Sequence, residues 1–188
     1  MAIIWCIASV ALLAVVLTMA YIKLAKVSEA YEIREDRLMP VPTPVPAPVD
    51  MWERYDVPLD DDVQKYIYDQ CEAYGVDMPL VLAIIENESH FNAEAVSEDG
   101  HDFGLMQVRS MYHMQRCIDL GAWNLLDAKQ NVRVGINYLA ELIGWGNGIE
   151  YALSWYNGHG GEPCEYADGI IARAQEIERT REIVFSNG

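Results

Sequence analysis

Two carboxylates, Glu86 and Glu88, close an apolar run that reads Leu80-Val81-Leu82-Ala83-Ile84-Ile85, and a Gly104-Leu105-Met106-Gln107-Val108 segment follows a short polar stretch later. A carboxylic acid carried on an apolar helix is desolvated, which disfavours its charged form and suits it to surrender a proton near neutral pH. Cleavage of a glycosidic bond needs such an acid. Helical spacing alone does not choose between the two. The residues three and four positions before Glu88 are Ile85 and Ile84, and those before Glu86 are Ala83 and Leu82, so either acid can face apolar surroundings.

Elsewhere the reactive constellations are few. Trp155-Tyr156-Asn157-Gly158, with Gly160 and Gly161 close behind, sets a phenol and an amide beside a turn whose glycines let Tyr156 point into a cleft at low backbone cost. Cys71, Cys117 and Cys164 are odd in number and lack CxxC spacing, which argues against a structural zinc site. One disulfide with one free thiol, or three unpaired thiols, both fit the sequence. His90, His101 and His113 lack metal-ligand spacing and no phosphate-cradling motif is present, so neither metal nor cofactor is expected. A formal charge of -16, from 13 basic and 29 acidic residues, argues against a nucleic-acid partner, because phosphate contacts need a basic face.

Helices must position these groups. Asp60-Asp61-Asp62 opens one that carries Val63, Tyr66, Ile67, Gln70 and Cys71 at three- and four-residue spacing and ends around Tyr74-Gly75, with acids in the first turn and glycine just past the end. Pro79 starts the next, which ends with Glu88-Ser89. Asn92 to Phe103 reads as an irregular loop or short hairpin. Met106 to Leu120, Asp127 to Ile143, Gly148 to Tyr156 and Tyr166 to Ile183 read as helices, so the expected fold is mainly α.

The stretch Ala83-Ile84-Ile85-Glu86-Asn87-Glu88-Ser89-His90-Phe91-Asn92, then Ser97, then Gly104-Leu105-Met106-Gln107, resembles the soluble lytic transglycosylase (SLT) domain of the lysozyme-like superfamily. Asn131-Val132-Arg133-Val134-Gly135-Ile136-Asn137-Tyr138-Leu139 and Trp155-Tyr156-Asn157-Gly158 resemble two later blocks of the same family, in the same order. The similarity runs from about Leu59 to about Ile177, roughly two thirds of the chain. It implies a lysozyme-like helical domain with a small loop or ribbon at the cleft, acting on the glycan strands of peptidoglycan. It also selects Glu88, because the family's acid directly precedes Ser and an aromatic-Asn pair, here Ser89 and Phe91-Asn92. The implied mechanism uses one carboxyl. Glu88 protonates the bond between N-acetylmuramic acid and N-acetylglucosamine, then takes the proton of the muramyl 6-hydroxyl, and a 1,6-anhydromuramyl end results. Ser97, Met106, Gln107, Tyr156 and Asn157 are implied to line the substrate cleft, with Tyr156 near the acid, although the loop from Ser97 to Gly104 is about one residue longer than the family pattern. Asn131, Gly135 and Tyr138 share one helix face and are expected to buttress the acid-bearing helix. Glu94, Glu98, Asp99 and Asp102 leave open a hydrolytic muramidase that uses a second carboxylate. A non-catalytic binding or scaffold protein on the same fold is the third reading.

Ahead of this region, Ala2 to Ile22 carries no charge and spans roughly 31 Å as a helix, enough to cross a bilayer. A cleaved signal peptide, with Ser28-Glu29-Ala30 at its end, competes with that reading, but the run is long for a signal and no Lys or Arg precedes it. Pro40, Pro42, Pro44, Pro46 and Pro48 alternate with small residues, a semi-rigid extended spacer of roughly 28 Å. The expected organisation is therefore a transmembrane anchor at 1–23, a juxtamembrane segment and Pro-rich linker at 24–56, and the SLT-like domain at 57–188. Lys23, Lys26, Arg34 and Arg37 all follow the span, and the positive-inside rule would keep the domain in the cytoplasm. The implied substrate places it outside, as a single-pass membrane protein bound to peptidoglycan.

Overall fold

The computed structural model describes residues 17–26 and 50–186. The helix Met78–Ser89, α2, is its most deeply buried element, with every side chain from Met78 to Ile85 out of solvent. The cause is a sequence apolar all round, which a helix tolerates only inside a core. Each Leu or Ile fully withdrawn from water there contributes about 1.5–3 kcal/mol.

Around α2 the other helices form a shell. Helix α1 (Asp61–Tyr74) begins after Asp60 and ends at Gly75, whose φ of 65° makes the left-handed cap expected of a glycine there. Helix α3 (Ser110–Leu120) ends the same way at Gly121. Helix α4 (Ala128–Gly144) is capped by the Asp127 carboxylate, which accepts from the Gln130 N–H. Helices α5 (Ile149–Tyr156) and α6 (Glu165–Glu178) complete the set. The broadest packing is α2 against α6, followed among helices by α1 against α4, then α4 against α5 and α5 against α6. Mainly α is thus the observed class.

Two small ribbons depart from the expected elements. Strand β1 (Asp50–Arg54) pairs antiparallel with β4 (Glu182–Ser186), in a register that sets Trp52 opposite Val184. Strand β1 thus lies within the segment 24–56 read from the sequence as linker. The last helix stops at Glu178 instead of Ile183, since Thr180 Oγ1 donates to the Ile177 carbonyl and accepts from the Asp56 N–H. The β-branched Ile183 and Val184 then extend into the ribbon. Near the cleft, β2 (Asp102–Phe103) pairs with β3 (Val108–Arg109), and Val96 bridges to Phe103. Met106 to Arg109 is therefore not helical: the Met106 N–H is taken by the Asn131 side chain and Gln107 adopts a φ of 45°.

Residues 17–26 are helical and exposed, and among the described residues no helix is long and apolar enough to cross a membrane. Most of the expected span at Ala2–Ile22, and the spacer Pro40–Pro48, lie outside the described residues.

Candidate active site

Glu86 and Glu88 diverge in the folded protein. Arg173 on α6 donates from Nε to Glu86 Oε2 at 2.7 Å and from Nη2 to Oε1 at 3.3 Å, so Glu86 is a fully engaged ion-pair partner on the outer side of α2. Glu88, in the last turn of α2, opens onto a cleft of about 710 Å³. Its Oε1 accepts a 2.7 Å hydrogen bond from the Tyr166 hydroxyl on α6. Burial pushes the Glu88 carboxyl above the usual carboxylate range. The Tyr166 bond works against that rise and the charge of Asp102 adds to it. The carbonyl end of a helix, where Glu88 sits, likewise disfavours a negative charge. Burial, reinforced by the Glu88 charge, raises both Tyr166 and Tyr156, so both stay protonated phenols.

The floor is the Gly104–Gln107 turn, pinned by one buried amide. Asn131 accepts from the Met106 N–H at 2.8 Å and donates from Nδ2 to the carbonyls of Phe103 and Leu125 at 2.7 and 2.9 Å. Gly104 has a φ of 70°, and a Cβ there would meet Leu125 O at 2.3 Å and Asn131 Nδ2 at 2.5 Å, so only glycine allows this approach. Gly135 does the same for the Met106 side chain, whose Sδ would lie 2.5 Å from an added Cβ. Tyr156 reaches over from the end of α5 and donates to the Met106 carbonyl at 2.9 Å. Gln107 closes the turn, with Nε2 donating to Gly104 O at 2.9 Å and Ala95 O at 3.3 Å.

One wall carries the second charged group. Arg109 grips Asp102 through two parallel bonds, Nε to Oδ1 and Nη2 to Oδ2, each 2.7 Å, and also reaches Asp99 Oδ2 at 2.8 Å. A bidentate guanidinium–carboxylate pair is a strong and geometrically specific contact. Another part of the lining is aromatic. The rings of His113, Tyr138 and Tyr156 follow one another with centroids 4.4 and 5.6 Å apart, and the Arg116 guanidinium lies 5.3 Å from the Tyr138 centroid.

Of the residues singled out in the sequence, Glu88, Gln107, Tyr156 and Asn157 line this one cleft. Ser97 and Met106 do not. The Ser97 hydroxyl donates to Asp99 Oδ1 at 2.6 Å and accepts from the N–H groups of His101 and Asp102, which makes it a loop fastener. The Met106 side chain is fully buried in the core and serves the cleft through its backbone carbonyl alone. Tyr156 does not hydrogen-bond the acid. That contact belongs to Tyr166, which sequence reasoning missed because no motif marks a tyrosine in the first turn of α6. Asn131 and Gly135 pack against the Gly104–Gln107 turn, and Gly135 lines the cleft together with Tyr138. Asp102, Arg109 and Trp155 also line it. Glu94 and Glu98 are exposed on the preceding loop and do not line the cleft. Cys71, Cys117 and Cys164 are free thiols, the first two buried.

A desolvated acid at the end of a buried helix, a glycine-opened turn below it and a Tyr-Asn-Gly loop beside it make up an SLT-type domain. Residues 65–166 match the family model described as the Transglycosylase SLT domain, and the chain belongs to that family. Similar relatives are the membrane-bound lytic murein transglycosylases C of Serratia proteamaculans, 33% identical over 69% of this chain and 39% of the relative, and of Salmonella arizonae, 37% identical over 64% and 39%. The chain thus matches well under half the length of these relatives. A solved structure of the lytic transglycosylase Slt from Pseudomonas aeruginosa aligns with a TM-score of 0.47 and 21% identity, covering 62% of this chain and 22% of that one.

Proposed function

We propose that the protein is a membrane-anchored peptidoglycan lytic transglycosylase with Glu88 as its acid and base. The observation that carries this reading is the contrast in carboxylates: Glu88 is raised by burial and held by one neutral phenol, while Asp102, which shares the cleft, is clamped by Arg109. One acid poised to exchange a proton, with the neighbouring carboxylate engaged by Arg109, suits a single-carboxyl mechanism.

In that mechanism protonated Glu88 gives its proton to the glycosidic oxygen as the bond to C1 of N-acetylmuramic acid breaks. The resulting carboxylate takes the proton from the C6 hydroxyl of the same sugar while O6 closes on C1. Glu88 ends the turnover protonated and no water is consumed. Tyr166 supports the carboxylate stage, since its hydrogen bond favours the charged form. Gln107 and Asn157 offer polar contacts to the glycan, and Tyr156 shapes the floor beside the acid.

Membrane attachment is supported by the names of the relatives and by the exposed Leu17, Met19, Tyr21, Ile22 and Leu24 of the helix at 17–26. We place the catalytic domain outside the membrane, where glycan strands lie, with an anchor at 1–23 and a linker before the domain.

Mass spectrometry of the products from purified peptidoglycan, treated with the full chain and with Glu88→Gln, tests the reading. Anhydromuramyl ends that vanish in the variant are the expected result. Reducing muramyl ends would move the assignment to a hydrolase, and release of neither would leave a binding protein.

A further inference from the structure

The cleft does not end at the acid. Trp155, the residue before the Tyr156-Asn157-Gly158 block, also lines it, yet remains 36% exposed. Two further rings pack against it: Trp145 with centroids 5.5 Å apart at 82°, and Tyr151 at 6.4 Å and 58°. Trp145 and Tyr151 also contact one another at 6.5 Å. Three aromatic rings thus make a closed triangle whose Trp155 corner lines the cleft, with Trp145 itself 46% exposed.

The loop after α5 is built to admit this triangle. Gly161, with a φ of 87°, lies so close that an added Cβ would fall 2.2 Å from Tyr151 Cε2 and 2.9 Å from Trp155 Nε1. Any side chain there would push the two rings apart. The exposed indole is therefore held in place on several sides, which removes most of the conformational cost of presenting it. Rigid, partly exposed tryptophan at a cleft is an expensive arrangement for solubility and an effective one for binding.

We propose that Trp155, braced by Trp145 and Tyr151, is a sugar-stacking subsite that grips an N-acetylhexosamine ring of the glycan next to the reacting pair. A pyranose presents an apolar face of C–H groups, and an indole offers a large flat apolar surface with few rotatable bonds. The polar groups of the cleft, Gln107 and Asn157, cannot supply that contact. The subsite rests on the lytic transglycosylase reading for its ligand class and adds a preference for longer strands.

The test uses the full chain and calorimetry with oligomers of N-acetylglucosamine, three and six sugars long, alongside turnover of peptidoglycan. The wild type should bind the hexamer more tightly than the trimer. Trp155→Ala should lose about tenfold on the hexamer, bringing it near the trimer, while Trp155→Phe stays within about threefold of wild type. On peptidoglycan the loss should appear in KM, not in kcat. Hexamer binding by Trp155→Ala equal to wild type overturns the subsite. So does an equal loss in Trp155→Phe, which would mark a packing role, and so does a wild type that binds no hexamer. A wild type that binds the hexamer but releases no anhydromuropeptides sinks the proposed activity and leaves the subsite standing. Normal release with an unchanged KM in Trp155→Ala sinks the subsite alone.

Discussion

Glu86 and Glu88 leave the same helix two residues apart and meet opposite surroundings. On the outer side of α2, Glu86 is neutralised by Arg173, a flexible cation with 43% of its side chain in solvent. On the cleft side, Glu88 meets the half-buried Tyr166 phenol and the field of Asp102. The same chemical group is an ion-pair partner in one place and a desolvated carboxyl at a cleft in the other. What separates them is the partner α6 supplies to each, Arg173 or Tyr166, and those two residues are themselves seven positions apart on one helix face.

The sharpest way to break this contrast is Glu88→Gln, which should lower release of soluble muropeptides by about a thousandfold. Its stability should move the other way. Because the folded pKa of Glu88 lies above its unfolded value, the native state holds that proton more tightly, and stability falls as pH rises from the ordinary carboxylate range through the raised value. The variant lacks that decline, so its melting temperature relative to wild type should rise between pH 4 and pH 8 as followed by circular dichroism. A difference that stays flat or falls between pH 4 and pH 8 would contradict a desolvated acid.

Asn131→Ala attacks the floor beneath the acid instead of the acid. It strands the Met106 N–H and two carbonyls, and should cost about 3 kcal/mol in urea denaturation. Tyr166→Phe is subtler, with about a tenfold loss in kcat. Since the Tyr166 bond favours the carboxylate, its removal should shift the basic limb of the pH–rate profile to higher pH. A limb that moves lower would mean another group sets it. Glu86→Gln is the control on the other side of the comparison: muropeptide release within about twofold of wild type, and less than about 1 kcal/mol of stability lost, because the pair it breaks remains partly solvent-exposed.

Much of the helical frame was legible in the residues because its signals are local. Asp60 to Gly75 bounds α1, Pro79 starts α2, and a continuous apolar run declares that α2 is central. The ribbon of β1 and β4 was not legible, since Trp52 and Val184 meet across most of the domain and nothing nearby in sequence announces the pairing. Ser97 and Met106 stand outside the cleft lining for a related reason. A motif reports that a residue type recurs, but whether the motif works through a side chain, a backbone carbonyl or a turn depends on where neighbouring segments pass.

By itself the sequence determined the mainly α class, the family, and a short set of groups, Glu88, Gln107, Tyr156 and Asn157, that come together around one cleft. Those follow from periodicity and from ordered motifs, which are properties of neighbours along the chain. Only the tertiary structure decided which carboxylate is desolvated and which are ion-paired. That choice depends on burial, on the Tyr166 hydroxyl reaching Glu88 and on Arg109 closing over Asp102, all set by segments that meet in space and not in sequence.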